Sequence, residues 1–303
     1  MNIIGHKYKY LTFSSILILG SIVCLLVWGL NIGIDFTGGS LMEIEFTAGS
    51  VPSVDNVKEV LEPLKLGDIM VQPIGIKGML LRFRDVDEQT HQEILKAFGG
   101  LKGPKETIER RFDTIGPIVG KELRRRSFAA IGFTAFGIVL YLAWAFRRVS
   151  KPVASWKYGV VAVSAFVHDV TIPVGVFAVL GHFYGVTVDS LFITALLTVM
   201  GFSVHDTIVI FDRIRENLAK LKHAEPYEDT VNRSVNETIS RSINTSLTVL
   251  MVLFAILIFG GQTTQYFALA LIVGIIFGTY SSIFVASPLL VIWEQSMRKK
   301  DKK

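Results

Sequence analysis

The stretch Gly201-Phe-Ser-Val-His-Asp-Thr-Ile-Val-Ile-Phe-Asp-Arg-Ile-Arg-Glu-Asn217 places an aspartate, Asp206, inside an apolar helix. A charged side chain at the centre of a bilayer costs about 2.5–3.5 kcal/mol on insertion scales, so an intramembrane acid usually lines an ion pathway or faces the interior of a helix bundle. The stretch therefore predicts a membrane protein in which this carboxyl group has a functional role.

The composition of the whole chain also predicts a membrane protein. Half of the 303 residues are hydrophobic and the mean hydropathy is +0.48, while the 26 acids and 31 bases are bunched between apolar stretches. Bunched charges of this kind are typical of membrane spans separated by loops. Six stretches are long enough to cross about 30 Å of hydrocarbon as helices of about 20 residues. We predict these spans at 12–30, 128–146, 157–180, 189–212, 242–259 and 266–293.

The basic residues of the short loops fall on one side of the predicted membrane. They are Lys7, Lys9, Arg147, Arg148, Lys151 and Lys157, together with those of a predicted loop 213–241 and of the tail 298–303. The positive-inside rule assigns this side to the cytoplasm. The opposite short loops, 181–188 and 260–265, contain neither Lys nor Arg. The basic cluster 121–126 falls on the outer side, where the rule weakens because the translocated loop is longer than about 60 residues.

Both termini are therefore predicted to be cytoplasmic. The predicted organisation is a first segment with one span, 1–30; an outer domain, 31–127; a five-helix bundle, 128–293; and a basic tail, 294–303. The first span is predicted to be retained, because it is about 19 residues long and lacks the small-x-small pattern of a cleavage site. Cys24 in this span is the only cysteine, which excludes an internal disulfide.

The outer segment has the pattern of a small α+β domain. Alternation predicts a strand at 40–46, and Ser53 is a predicted N-cap for a helix that follows it. Two short strands near 69–74 and 79–84 are separated by glycines, a second helix covers 87–98, and a last strand covers 107–115. The order βαββαβ favours a ferredoxin-like fold.

The charge of the outer segment excludes one class of partner. Across 35–126 there are 15 acids and 14 bases, so the basic surface expected of a nucleic-acid-binding domain is absent. The single histidine of this segment, His91, is predicted on the polar side of its helix, in contact with solvent.

The third and fourth spans each contain the tripeptide Val-His-Asp, ending at Asp169 and Asp206. Pro173 leaves the carbonyl of Asp169 without its helical donor, so the third span is predicted to be kinked there. Two interpretations of Asp169, with its neighbour His168, stay open. Either it makes an ordinary polar contact between helices, or it takes part in function.

Asp206 is predicted about six residues from the cytoplasmic end of its helix, with Ser203 on the same face and His205 turned away by about 100°. A counter-ion is offered by Arg241 in the fifth span, which shares a face with Thr245 and Thr248. Arg213, seven residues after Asp206, is a competing partner. The pair of Asp206 and Arg241 is predicted to act as a switch that couples proton binding to conformation, and a static ion pair is the alternative. Residues predicted to give this site polar support are Asp169, His168, His205, Ser203, Thr245 and Thr248.

Several motifs resemble those of the bacterial SecD/SecF family, a branch of the RND superfamily. Gly33-Ile-Asp-Phe-Thr-Gly-Gly39 follows the first span, and Gly116-Pro117 with Gly120-Lys-Glu-Leu123 precedes the second. His168-Asp169, the 201–217 stretch and Arg241-Ser-Ile-Asn-Thr-Ser246 resemble the SecF branch. The resemblance covers nearly the whole chain.

The resemblance implies an accessory subunit of the preprotein translocase in the bacterial cytoplasmic membrane, driven by the proton-motive force. It implies a SecD-like subunit as heterodimer partner, the SecYEG channel, SecA acting indirectly, emerging preproteins, protons and surrounding lipid. It also implies proton transport at Asp206 and an interaction with Arg241. His205 departs from the pattern, where Asn is expected. No catalytic residue, metal site or cofactor is predicted.

The motif that follows the first span is predicted to be a structural joint for the outer domain. Its residues are Gly33, Asp35, Thr37, Gly38 and Gly39. Glycines permit backbone angles that other residues resist, and Asp and Thr side chains can bind freed backbone groups.

Three other functions are alternatives to a translocase subunit. An RND-type exporter of small molecules or lipids normally requires a second six-span half, and a passive scaffold of the channel requires neither Asp206 nor Arg241. An intramembrane aspartyl protease is disfavoured because its Gly-x-Gly-Asp pattern is missing, and no phosphate-binding Gly-x-x-x-x-Gly-Lys-[Ser/Thr] motif is present.

Overall fold

The computed structural model describes residues 1–47, 51–99, 107–145, 155–221 and 225–300. The chain divides into two compact units, one formed by Met1–Asn31 with Ala129–Lys303 and the other by Ile32–Phe128. The basic loop predicted at 147–151 and the last three residues of the tail lie outside the described residues.

The first unit is built from long apolar helices. Its helices are α1 (Lys7–Trp28), preceded by a 3-10 turn at Ile4–His6, α6 (Ser155–Tyr184), α7 (Ser190–Leu221), α8 (Tyr227–Phe259), α9 (Gln262–Ser281) and α10 (Ser287–Lys300), and α5 (Pro117–Ala145) contributes its later part. A π-helical segment, Ser282–Ala286, joins α9 to α10. Six helical segments among the described residues are long and apolar enough to cross a membrane. The prediction of a polytopic α-helical membrane protein with six spans is thereby confirmed.

Helices α7 and α8 extend far beyond the apolar stretches that predicted them. Helix α7 continues to Leu221 and α8 begins at Tyr227, so most of the predicted loop 213–241 is an antiparallel helical hairpin. Arg213 pairs with Glu237 across the two helices at 2.6 Å, and Asn217 donates to the Ser234 hydroxyl at 3.0 Å. The loop prediction was wrong because charged residues on helices that leave the bilayer were taken for a loop.

Small residues allow the spans to approach closely. A Cβ atom placed on Gly175 of α6 would lie 2.6 Å from the Cα atom of Ser21 in α1. On α9, a Cβ atom at Gly274 would lie 2.7 Å from a side-chain methyl of Val199 in α7. Such contacts are typical of membrane helices, whose association depends on packing because lipid supplies no hydrophobic driving force between them.

The second unit is the predicted α+β domain. Its elements are α2 (Ile34–Thr37), β1 (Gly39–Phe46), α3 (Val54–Leu61), β2 (Met70–Ile74), β3 (Gly78–Phe83), α4 (Glu88–Gly99) and β4 (Thr107–Ile115), and the first turns of α5. The sheet order is β2-β3-β1-β4 with antiparallel pairing throughout, which confirms the ferredoxin-like fold. Alternate residues of β1, Met42, Ile44 and Phe46, are buried in the core. The Ser53 hydroxyl accepts from the Asn56 amide at 3.3 Å, as predicted for an N-cap.

His91 is not on a solvated face as predicted. Its residue is only 6% exposed, and its ring stacks on Phe112 with centroids 3.8 Å apart. The two ring nitrogens lie 3.2 Å from a Glu88 oxygen and 3.1 Å from a Glu109 oxygen. The prediction was wrong because α4 packs against β4, so this position of the helix faces the sheet.

Candidate functional site

Asp206 lies on the inner side of α7 and is 3% exposed. Its Oδ2 atom accepts a long hydrogen bond of 3.5 Å from the Thr279 hydroxyl on α9. The Thr279 hydroxyl in turn lies 2.5 Å from the hydroxyl of Ser246 on α8. Asp206 is thus connected through two hydroxyl groups to both neighbouring helices.

Asp169 lies at the contact of α6, α7 and α9 and is fully buried. Its Oδ1 atom is 2.8 Å from Nδ1 of His168, and its Oδ2 atom accepts hydrogen bonds from Ser203 on α7 and from Ser281 on α9, the latter at 2.7 Å. Ser203 was expected to support Asp206, with which it shares a helix face. Its hydroxyl instead binds Asp169, because that face of α7 packs against α6 as well as α9.

A run of hydroxyl residues at the junction of α9 and the π-helical segment, Thr279, Ser281 and Ser282, connects the two acids. Ser282 lies 2.9 Å from the Thr207 hydroxyl on α7, and Thr279 and Ser281 contact Asp206 and Asp169 respectively. The sequence patterns did not predict this hydroxyl run. Its signal was the polar run 279–282 within the last predicted span, which hydropathy averaging conceals.

Arg241 lies on the exposed face of α8, where it lines a polar groove with Glu237, Thr238 and the α7 residues Asp212 and Arg213. Across the described ranges, no ion pair joins Arg241 to Asp206. The two side chains do not meet in this conformation because Asp206 faces α9 and Arg241 faces the groove.

The other predicted support residues do not surround Asp206. Thr245 and Thr248 are exposed on α8 and donate to carbonyls of their own helix. His205 is exposed on α7. Arg213, the predicted competitor, pairs with Glu216 at 2.7 Å and with Glu237.

The arrangement is chemically suited to holding a proton. A buried carboxyl group without a cation is costly while charged, and hydroxyl donors reduce that cost without removing it. Neither Asp169 nor Asp206 has an Arg or Lys partner among the hydrogen bonds and ion pairs of the described residues. The described residues also contain no cluster of His, Cys, Asp and Glu that could hold a metal ion.

The predicted joint motif is tightly packed within the second unit. Gly38 and Gly39 have positive φ angles of 76° and 122°. A Cβ atom at Gly38 would lie 2.8 Å from the Pro117 Cα atom, and one at Gly39 would lie 2.7 Å from the Phe83 carbonyl oxygen. Only glycine fits both positions without strain, since the backbone angles and the space each exclude a side chain.

The remaining residues of this motif form one helical turn before the glycines. Gly33 caps the short helix α2, and the Thr37 hydroxyl donates to the Gly33 carbonyl at 3.2 Å. Asp35 lies in the first turn of the same helix. The motif therefore consists of one helical turn that leads through Gly38 directly into strand β1.

The fold and its buried acids define a class: a polytopic membrane protein with a ferredoxin-like domain after its first span. Two family profiles match the chain. "Protein export membrane protein SecD/SecF, C-terminal" matches residues 97–296, and "SecD/SecF GG Motif" matches residues 26–49. The chain belongs to the SecD/SecF family.

Similar proteins match over nearly the full length. A relative from Thermobaculum terrenum named "Protein translocase subunit SecF" is 42% identical, and the match covers 97% of this chain and 94% of the relative. A relative of the same name from Anaerolinea thermophila is 39% identical with the same coverage.

Two solved structures are also similar. The crystal structure of SecDF from Thermus thermophilus, titled a translocon-associated membrane protein, has a TM-score of 0.82 and 32% identity, and the match covers 97% of this chain but only 39% of that one. A second structure, titled "SecDF in Super-membrane-facing form", has a TM-score of 0.70, 32% identity and coverage of 100% and 40%. The chain thus spans about two fifths of each SecDF chain.

Proposed function

We propose that this chain is a SecF-type subunit that uses the proton-motive force to promote protein export across the cytoplasmic membrane. Relatives that match this chain over nearly their full length are named as a protein translocase subunit. The observation that carries the energetic part of the proposal is Asp206, a buried acid in a membrane span whose described hydrogen-bond partner is a hydroxyl group.

The proton acts by changing the charge of Asp206. While ionised, the carboxylate attracts the Thr279 hydroxyl and holds α7 toward α9; once protonated, it accepts a weaker hydrogen bond. The driving force is about 2.3 kcal/mol per charge per 100 mV and about 1.4 kcal/mol per pH unit. A few kcal/mol is enough to change the populations of two conformations strongly.

Arg241 enters in a second conformation of the same cycle. In the present one it lines the polar groove and Asp206 faces α9. Both residues lie on adjacent antiparallel helices, so a rearrangement of α7 and α8 brings the guanidinium toward the carboxylate. Proton affinity then differs between the two conformations, which is the requirement for coupling proton flow to motion.

A SecD-like subunit is the proposed partner in the membrane. Arg241, Asn244, Thr245 and Thr248 are all exposed on α8, within a span whose other exposed residues are largely apolar. Polar groups facing lipid are costly, so a second protein is expected to cover this stripe. The proposed orientation has both chain termini in the cytoplasm, with the SecYEG channel, SecA and the emerging preprotein as further partners.

A cross-linking experiment tests the proposed partner. With Cys24 replaced by Ser, a cysteine at Asn244 is expected to cross-link to the SecD-like subunit in native membranes. A cysteine at Leu19, which is 62% exposed on the outer side of α1, is the control. Equal yields from both positions would argue against a partner on α8.

The proton role is tested by replacing Asp206 with Asn. In membrane vesicles that contain the partner subunit, stimulation of export by the proton gradient is expected to be lost. Asp212→Asn is the matched control, because Asp212 lies on the same helix, is exposed and pairs with Arg215 at 3.3 Å. Undiminished stimulation in Asp206→Asn, at normal protein level, would leave the passive scaffold as the better account.

A further inference from the structure

We propose that His168 and Asp169 form a second proton-binding site in the helix bundle, distinct from Asp206. This inference rests on the proposed function, since it assigns a further proton site to the same machine. It starts from contacts that neither the sequence pattern nor the resemblance indicated. Asp169 is the more completely buried of the two acids, and three side-chain donors from three helices surround it.

The His168–Asp169 pair can change its net charge by one proton. Asp169 accepts from Ser203 and Ser281, and the described residues give it no Arg or Lys partner. His168 is the one titratable group in hydrogen-bond contact with it, with Nδ1 at 2.8 Å from Oδ1. A proton added to this pair makes it electrically neutral, so the pair can exchange a net charge inside the bundle.

His168 has a second ring nitrogen, Nε2, that does not contact Asp169. The Nε2 atom is buried and has no hydrogen-bond partner within the described residues. When Asp169 is ionised and accepts from Nδ1–H, Nε2 carries only a lone pair. When the pair gains a proton, the hydrogen on Nδ1 moves to Oδ1, so that Asp169 becomes a neutral carboxyl group and the imidazole carries its hydrogen on Nε2. Nε2 is therefore the atom at which the pair takes up or releases its proton.

Other aromatic and titratable groups near the pair lie on α9 and α7. On α9, the Tyr280 ring lies nearly parallel to the His168 ring with centroids 6.2 Å apart, and its hydroxyl donates to the Tyr10 carbonyl of α1 at 3.1 Å. On α7, the nearest acid in sequence is Asp206, one helical turn after Ser203. The His168 ring is thus flanked by the α9 rings of Phe277 and Tyr280, and Asp169 is bound by the hydroxyls of Ser203 and Ser281.

The hydrogen bonds of Asp169 link its charge to the packing of α6 against α7 and α9. Helix α7 carries Ser203 for Asp169 one turn before Asp206, and α9 carries Ser281 for Asp169 two residues after Thr279, which serves Asp206. The two acids therefore hold the same two helices. Hydrogen bonds to an ionised acceptor are roughly twice as strong as neutral ones, so protonation at Asp169 loosens α6 from α7 and α9. The π-helical segment Ser282–Ala286 follows directly, and such segments are frequent at functional sites.

The test is infrared difference spectroscopy of the full-length chain in lipid nanodiscs, recorded against pH with isotope-labelled aspartate. The C=O band of a protonated carboxyl group reports each acid directly. Besides the bands of the exposed aspartates, wild type is expected to show two titrating components, one from each buried acid. Asp169→Asn is expected to lose one and keep the other, Asp206→Asn to do the reverse, and the double variant to lose both.

His168→Gln separates a proton site from a merely structural contact. It is expected to displace the titration of the Asp169 component and leave the Asp206 component in place. This variant also keeps the proposal testable if Asp169→Asn fails to fold. An Asp169→Asn spectrum with the same titrating components as wild type, or a His168→Gln spectrum with an unmoved Asp169 component, would overturn the proposal.

The outcomes for this site and for the proposed function are separable. If Asp206→Asn abolishes proton-stimulated export while Asp169 shows no titrating band, the function stands and the second site falls. If the Asp169 band titrates while Asp206→Asn exports normally, the second site stands and the proton role of Asp206 falls.

Discussion

The helical unit and the outer domain hold their acidic side chains in opposite ways. Asp169 and Asp206 are at most 3% exposed, both accept hydrogen bonds from hydroxyl groups, and Asp169 also contacts the buried His168. In the outer domain, the side chains of Glu88 and Glu109 are 72% and 26% exposed, and both contact His91. Asp87 is the N-terminal neighbour of α4 and accepts from the Thr90 amide and hydroxyl.

This difference sets the free-energy cost of keeping each acid. An acid at a domain surface keeps most of its hydration, so capping a helix or contacting a histidine costs little. An acid inside a membrane bundle loses that hydration and is retained at a free-energy cost. The cost makes the bundle acids sensitive to small changes in their donors, whereas the outer acids should respond weakly.

The largest expected effect is at a donor to the fully buried acid. Ser281→Ala removes one hydrogen bond to Asp169 and is expected to lower the free energy of unfolding by about 1.5–3 kcal/mol, as for hydrogen bonds to charged groups. Ser164→Ala is the control, because Ser164 is exposed and donates only to the Val160 carbonyl of its own helix. That variant is expected to change stability by less than about 0.5 kcal/mol.

Denaturation of both variants in mixed micelles measures these free energies. Equal stability of Ser281→Ala and Ser164→Ala would mean that burial of the carboxylate does not amplify the loss of a donor. The difference in burial between the acids of the two units would then not affect the free energy of unfolding.

A smaller effect is expected at His91, the most buried titratable group of the outer domain. A double-mutant cycle of His91→Phe with Glu109→Gln isolates the contact at 3.1 Å and keeps an aromatic ring on Phe112. We expect a coupling of about 0.5–1.5 kcal/mol at neutral pH.

The companion cycle of His91→Phe with Glu88→Gln tests the role of exposure within the same cluster. Glu88 is much more exposed than Glu109, so its coupling to His91 should be smaller. Thermal unfolding of the full chain, followed by a probe in the outer domain, measures both cycles. A larger coupling for Glu88 would contradict the link between burial and sensitivity.

Local sequence patterns were enough to predict much of this fold. Hydropathy located the six spans, since each apolar stretch is close to or longer than the roughly 20 residues that a helix needs to cross the bilayer core. Strand alternation, the Ser53 cap and the βαββαβ order identified the ferredoxin-like domain, because these features depend on neighbouring residues only. The sequence also singled out Asp206 as a candidate, because an acid deep in an apolar run is conspicuous, and the structure places it in a buried position.

Features that depend on helix-to-helix contact could not be predicted in this way. The partners of Asp169 are set by which faces of α6, α7 and α9 meet, and neither hydropathy nor spacing contains that information. His91 was misassigned for the same reason, because its burial depends on Glu109 and Phe112 in a strand that follows later in the chain. The separation of Arg241 from Asp206 likewise depends on which faces of α7 and α8 point toward their neighbours.

The smallest expected effect is at Asp87. Hydrogen bonds from the Thr90 side chain and then from its amide lower the pKa of Asp87 below its ordinary value of about 3.9. An acid with a lowered pKa in the folded state adds stability above its unfolded pKa, and this stability is lost as the pH falls through the folded pKa. Asp87→Asn keeps a good capping oxygen but cannot titrate. The variant should therefore match wild type more closely at pH 3 than at pH 7, since pH 3 lies below the ordinary pKa.

Hydrogen exchange of the α4 amides, corrected for the intrinsic pH dependence, measures this difference locally. Glu59→Gln, on an exposed position of α3, is the control and should leave the exchange of α4 unchanged. The pKa of Glu88 is also lowered, by the Gln92 side chain first and His91 second, so part of the acid sensitivity of α4 should persist in Asp87→Asn. A variant with no remaining sensitivity would assign the whole effect to the cap. A variant as acid-sensitive as wild type would show that titration of Asp87 adds nothing to the stability of α4. Small effects of this kind are expected for the exposed acids of the outer domain and not for the buried acids of the helix bundle.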